Sequence, residues 1–197
     1  MGWHGPATAP IVAVMTVTQP QQRVDLFTHI HKGLRKGLFE LGVQAGSCDW
    51  TDRDNVDAVA VTWAPLAEFL RCHTTHEDEF IFRLLNDPTL VPHDDHRDLD
   101  DLLADLDERL AALQIEAGQD AGLRWYRDLM RYTAATLQHL HVEETVVLPA
   151  LWHACTDEEL AACRAAFLAG TPASVMTTTL RLLQGAVEPA VARVMGL

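Results

Sequence analysis

From Val24 to Ala150 the apolar residues return at alternating steps of three and four, the spacing that keeps one face of a helix turned inward. Four such stripes follow one another. The first predicts a helix from about Gln21 to Gln44, with Val24, Phe27, Leu34, Leu38 and Leu41 on its inner face. The second predicts one from about Asp54 to Leu85, lined by Val56, Val59, Trp63, Leu66, Leu70, Phe80 and Leu84, with a kink expected at Pro65. The third covers about His93 to Ala117 on Leu99, Leu103, Leu106, Leu110 and Leu113. The fourth covers about Leu123 to His153 on Trp125, Leu129, Tyr132, Thr136, Val146 and Ala150, with Pro149 bending or closing its end. Asn86-Asp87-Pro88 and Gly118 punctuate the series, and no alternating Val/Ile/Thr run argues for strands beyond the first residues. The expected fold is all-α: an antiparallel up-down four-helix bundle with two additional C-terminal helices. Thr156 and Glu159 form a capping box that opens one of these, and Thr171-Pro172 opens the other.

Six inward positions break the apolar rhythm. His31 is followed 42 residues later by His73 and then, four residues on, by Glu77; His96 is followed 43 residues later by His139 and then, four on, by Glu143. Residues at i and i+4 share a helix face, so each H-x-x-x-E presents a nitrogen and an oxygen to one point, and the other two helices add an imidazole each. The repeat suggests a duplicated helical hairpin, each copy carrying half of a metal site. Ionised carboxylates in a core cost several kcal/mol unless a strong opposite charge compensates them. His31, His73, Glu77, His96, His139 and Glu143 are therefore the candidate metal ligands. The two glutamates are placed to bridge a pair of ions about 3.5–4 Å apart. Mixed imidazole and carboxylate donors suit iron first, with manganese or zinc as further possibilities.

Neighbouring polar residues read differently. His29, His76 and His141 fall off the stripes and are expected to be exposed or to orient a ligating ring; His4 and His153 are expected at the surface. His93, three residues before His96, and Asp100, four after it, are candidate extra ligands. Cys72 is adjacent to His73 and so points elsewhere on the helix. The acidic run Asp94–Asp107 reads as a solvated helix face.

The chain has 197 residues, 48% of them hydrophobic, which suits one domain with a real core. The divisions expected are residues 1–22 as a flexible tail, 23–153 as the bundle, and 154–197 as a helical extension packed on it. A net charge of −13 argues against nucleic acid and against anionic lipid surfaces as partners. Four cysteines without C-x-x-C spacing indicate reduced thiols and a cytoplasmic location. No apolar run approaches the length of a membrane span, and no Lys or Arg precedes Arg23 to start a secretory signal.

The segments that carry the six residues are HKGLRKGLFEL with His31, FLRCHTTHEDEFIFRLL with His73 and Glu77, HRDLDDLLADL with His96, and LQHLHVEETVVLPALW with His139 and Glu143. Together they resemble the hemerythrin-like HHE cation-binding family from about Val24 onward, and TDEELAACRAAFL with the closing helix resembles the tail of one bacterial branch. The resemblance implies a hemerythrin-like bundle around an oxo- or hydroxo-bridged di-iron site. The family's oxygen carriers hold a histidine pair four residues apart on the third helix. Here the positions four from His96 are Pro92 and Asp100, so the carrier pattern is incomplete.

Three functional classes follow. An oxidoreductase (oxidase, oxygenase or peroxidase) would take dioxygen or peroxide, with a possible small-molecule substrate. A binding module would sense dioxygen, nitric oxide or iron without turnover. A metal buffer would store the ions. Thr136, one turn before His139, is either a hydrogen-bond donor to a bound oxygen species or a packed core hydroxyl; Tyr132 and Trp125 are either electron relays or core.

Overall fold

The computed structural model describes residues 23–195; the expected tail over residues 1–22 lies outside the described residues. All regular structure among the described residues is helical. Helix α1 (Thr28–Gly46) starts later than its apolar stripe. Arg23–Phe27 precede it without helix, and the Asp25 carboxylate accepts from the backbone N–H of Phe27 and Thr28, satisfying donors that open a helix. Helix α2 (Arg53–His76) is capped by Asp52, which accepts from the Asp54 N–H, and continues through Pro65. Helices α3 (His93–Ile115) and α4 (Gln119–Val142) follow, and α5 (Leu148–Ala154) prolongs α4. Contacts of α1 with α2, α2 with α3, α3 with α4 and α4 with α1 close the bundle into a ring.

Both H-x-x-x-E helices widen at the glutamate. Glu77–Ile81 and Glu143–Val147 are π-helical turns, in which each N–H reaches one residue further back than in an α-helix. The extra residue rotates everything beyond it. Of the expected inner residues, Phe80, Leu84 and Ala150 are only half-buried, and Val146 is 45% exposed. Ile81 and Phe82, and Val147, Leu148 and Leu151, are buried instead. A stripe extrapolated at 3.6 residues per turn fails here because the period itself changes.

The apolar interior accordingly has two parts. The larger runs along all four bundle helices and includes Leu38, Leu66, Leu103 and Leu129. The smaller gathers Phe27, Ile81, Phe82, Val147, Leu148, Leu151 and Leu160 beyond the π turns. The six polar inward residues belong to neither. At the far end of the bundle, a Cβ on Gly122 would lie 2.0 Å from Cγ of the fully buried Trp50, so only glycine admits that indole.

Helix α6 (Asp157–Gly170) opens with the expected capping box, and α7 (Ala173–Leu183) follows Pro172. A further short helix, α8 (Pro189–Met195), exceeds the two expected from the sequence. Helix α7 packs on α1 and α2, and α6 packs on the π turn that follows α2. A Cβ on Gly37 would lie 2.8 Å from Leu66 and 3.2 Å from Leu182, so the glycine sets how closely α7 approaches α1. Arg23 ties the chain before α1 to the start of α6 through Asp157, 2.8 Å away, and the Cys155 carbonyl. No helix among the described residues is long and apolar enough to cross a membrane.

Candidate metal centre

The antiparallel order brings the beginnings of α1 and α3 beside the ends of α2 and α4. His31 and His96 stand near the former, His73 and His139 near the latter, and Glu77 and Glu143 open the π turns. All six are buried, with both glutamates and His31 at 0% exposure. Their donor atoms form two groups that share both glutamates: His31, His73, Glu77 and Glu143 in one, and Glu77, His96, His139 and Glu143 in the other.

Each carboxylate divides its oxygens between the groups. Oε1 of Glu77 lies 3.1 Å from His73 Nε2 and 3.8 Å from His31 Nε2, while its Oε2 lies 3.6 Å from His96 Nε2. Oε2 of Glu143 lies 3.4 Å from His31 Nε2, while its Oε1 lies 3.3 Å from His139 Nε2 and 3.9 Å from His96 Nε2. The two Nε2 atoms of His96 and His139 face one another at 3.1 Å. Donors bound about 2.1 Å from a common ion are separated by about 3 Å or more, the range seen in each group. None of the four carboxylate oxygens has a hydrogen-bond partner in the protein, nor has Nε2 of His31 or His73. Buried polar atoms in native proteins find partners. Six side chains aimed at common centres, most of their donors unspent, fit two cations.

Electrostatics agree. With protein groups alone, burial pushes the Glu77 carboxyl well above the usual carboxylate range, and the Glu143 charge beside it adds to the rise. Burial also raises Glu143, but the His139 and His96 rings beside it outweigh that and hold the carboxyl low. Burial, then His31, pushes His73 well down. Two carboxylates in one dry space resist sharing a full negative charge, and a cation between them removes the conflict.

Outside the six, carboxylates stand behind the rings, and the sequence reading missed them. Glu144 Oε1 is 2.9 Å from His31 Nδ1 and is itself held by Arg35 at 2.7 Å. Burial opposes its ionisation, yet the His31 and Arg35 hydrogen bonds bring its pKa down to about 2. Asp78 Oδ1 lies 3.2 Å from His96 Nδ1, close but not aligned as a hydrogen bond, and Asp95 Oδ2 lies 3.6 Å from His139 Nδ1. Such partners orient a ligating imidazole and fix its tautomer. Among the described residues, His73 alone of the four has no carboxylate behind it; its Nδ1 is buried without a partner.

The other sequence candidates fall elsewhere. His93 is exposed, 2.9 Å from Asp78, and Asp100 is exposed; neither joins a donor group. His141 is exposed, as expected, but His76 is buried between Phe80 and Phe167, because α6 covers that side of α2. Cys72 lies beside His76, 3.6 Å from its Nε2, and outside both groups. The acidic run is not wholly solvated: Asp95 backs His139, and Asp107 accepts from Trp63 Nε1 at 2.6 Å. The Thr136 hydroxyl donates to the Tyr132 carbonyl at 3.0 Å, as a packed core hydroxyl does. Trp125, Trp63 and Tyr132 are buried and stack edge-on, with ring centres 5.9 and 6.4 Å apart.

A four-helix bundle enclosing two adjacent His/Glu clusters defines a cation-binding helical domain with room for two metals. Residues 22–164 match the hemerythrin HHE cation binding domain, and the chain belongs to that family. Comparisons with curated proteins and with solved structures found no match.

Proposed function

We propose that His31 and His73 hold one iron ion, that His96 and His139 hold a second, that Glu77 and Glu143 bridge the two, and that the protein is an oxidoreductase acting on dioxygen or peroxide. The observation that carries this reading is the division of each glutamate's oxygens between the two histidine pairs. The nitrogen and oxygen donor set suits iron, with manganese and zinc next. When bound, an iron pair supplies electrons and Lewis acidity for reactions of dioxygen or peroxide. The chain's own residues do the rest. Glu144 and Arg35 hold the His31 ring in place, Phe27 and Phe82 pack on His31 and His96 with ring centres 5.3 Å away, and the two apolar clusters keep bulk water from both ends of the site. Six protein donors leave coordination positions for an exogenous ligand.

A second reading, binding or sensing of dioxygen or nitric oxide without turnover, draws on the packing of α7 directly against α1 and α2, which carry His31 and His73. A shift of those helices would reach the surface of the extension. Turnover separates the two. Protein loaded with ferrous iron and supplied with a reductant is expected to consume dioxygen or peroxide over many cycles. Reduced protein that is inert to both, yet changes its spectrum with nitric oxide, would remove the oxidoreductase reading and leave the binding one.

A further inference from the structure

A chamber lies between the C-terminal helices and the bundle, apart from the two donor groups. It measures about 180 Å³, opens to the surface, and is lined largely by apolar side chains that include Leu26, Ile30, Ile81, Phe167 and Leu183. A dry cavity of about 150 Å³ accommodates one benzene-sized molecule. Its lining is not wholly apolar. His29 contributes an Nδ1 that is buried without a hydrogen-bond partner, and Arg164 contributes a guanidinium that makes no ion pair among the described residues. Two acids lie nearby, and Asp25 itself lines the chamber. Asp25 accepts from the backbone N–H of Phe27 and Thr28, and Glu188 is bound to Lys32 at 2.5 Å. A buried polar atom without a partner is costly; His29 Nδ1 can donate in one tautomer of its ring, and together with the Arg164 cation this lining suits an acceptor group, preferably anionic.

We propose that this chamber binds a small monocarboxylate whose body is a single ring or a short alkyl chain. The apolar body fills the cavity; the carboxylate meets Arg164, with His29 as a second donor. Arg164 is exposed, so the head lies at the mouth and the body points inward. A smaller cavity of about 40 Å³ shares Ile30, Phe167, Leu168 and Thr179 with the chamber and is walled on its other side by His73. The ligand's inner end therefore lies toward the wall shared with that smaller cavity. The site is built from α1, α6, α7 and the π turn after α2, and it stands whether or not the donor groups hold iron.

Calorimetry on the full chain with benzoate, butanoate and toluene tests the proposal. Benzoate and butanoate are expected to bind saturably at one site per chain, and benzoate more tightly than toluene. Arg164→Gln is expected to weaken benzoate about tenfold or more and to leave toluene within about twofold. Thr179→Leu, which fills the shared wall, is expected to weaken all three while the helical circular dichroism signal stays unchanged. Leu183→Ala, which enlarges the chamber, is expected to admit a substituted benzoate that the parent protein rejects. Iron content measured in the Arg164→Gln protein keeps the outcome separate from the metal reading, because that residue touches none of the six donors. Absence of saturable binding by any probe would overturn the proposal. So would toluene binding as tightly as benzoate, or benzoate binding indifferent to Arg164→Gln.

Discussion

Glu77 and Glu143 sit in the same dry space under opposite influences. Burial and its neighbour's charge drive Glu77 toward its neutral form, whereas His139 and His96 keep Glu143 ionised. Both bridge in the proposed site, so Glu77→Ala is expected to lose about half or more of the bound iron, read by metal analysis of purified protein. Iron content equal to the parent would mean that Glu77 does not bridge. The Glu144–Arg35 pair acts one step further out. Glu144→Gln removes the charge behind His31 and is expected to weaken iron binding about 10- to 100-fold, measured by competition with a chelator. Ligation also needs neutral imidazoles and ionised carboxylates. Iron is thus expected to leave as pH falls, because burial and the Glu143 charge raise the proton affinity of Glu77 and a proton there competes with the metal. At this scale the six buried donors were legible because a histidine or glutamate on an apolar stripe is conspicuous. Glu144, Asp78 and Asp95 were not, because an acid one position off the stripe looks like any solvated residue. Nothing in the spacing revealed that α6 would bury His76.

The elements explain why the donors meet at one level. Each H-x-x-x-E closes an α-helix with a π turn that begins at the glutamate, and the turn re-aims the apolar residues beyond it into the second cluster. The helices themselves were readable from their three-and-four rhythm, and the capping box at Thr156 and Glu159 from residue type. The π turns were not, because a stripe read at a constant period carries no sign of one inserted residue until the side chains downstream are seen to have rotated. The late start of α1 has a similar origin: Val24 continues the rhythm, but the Asp25 carboxylate captures the first free N–H groups and fixes the helix start after Phe27. Helix packing at the far end depends on one small residue. Gly122→Ala forces Trp50 out of its place and is expected to destabilise the fold by about 1–3 kcal/mol in urea unfolding, with iron content unchanged when folded. A midpoint equal to the parent would mean that Trp50 moves aside freely.

Across the whole molecule, a ring of four helices holds a polar layer between two apolar ones, with α6 and α7 laid over the side that carries His73. The bundle was foreseeable from four stripes and short breaks, since few other arrangements bury four amphipathic helices of this length. The third C-terminal helix was not, because α8 is a single short element without a stripe of its own. A buried carboxylate pair without a cation weakens the fold that surrounds it. Protein saturated with iron is therefore expected to unfold at a higher temperature than chelator-treated protein, by the free energy of binding that mass action supplies. The most direct test of a shared metal pair is to load the chain with ferrous iron without oxygen, remove the excess, and count metal and protein together. Two irons per chain in the parent, with a large loss in Glu77→Ala, is the predicted result. One iron or fewer per chain in the parent, or a full load in the variant, would contradict a pair held between Glu77 and Glu143.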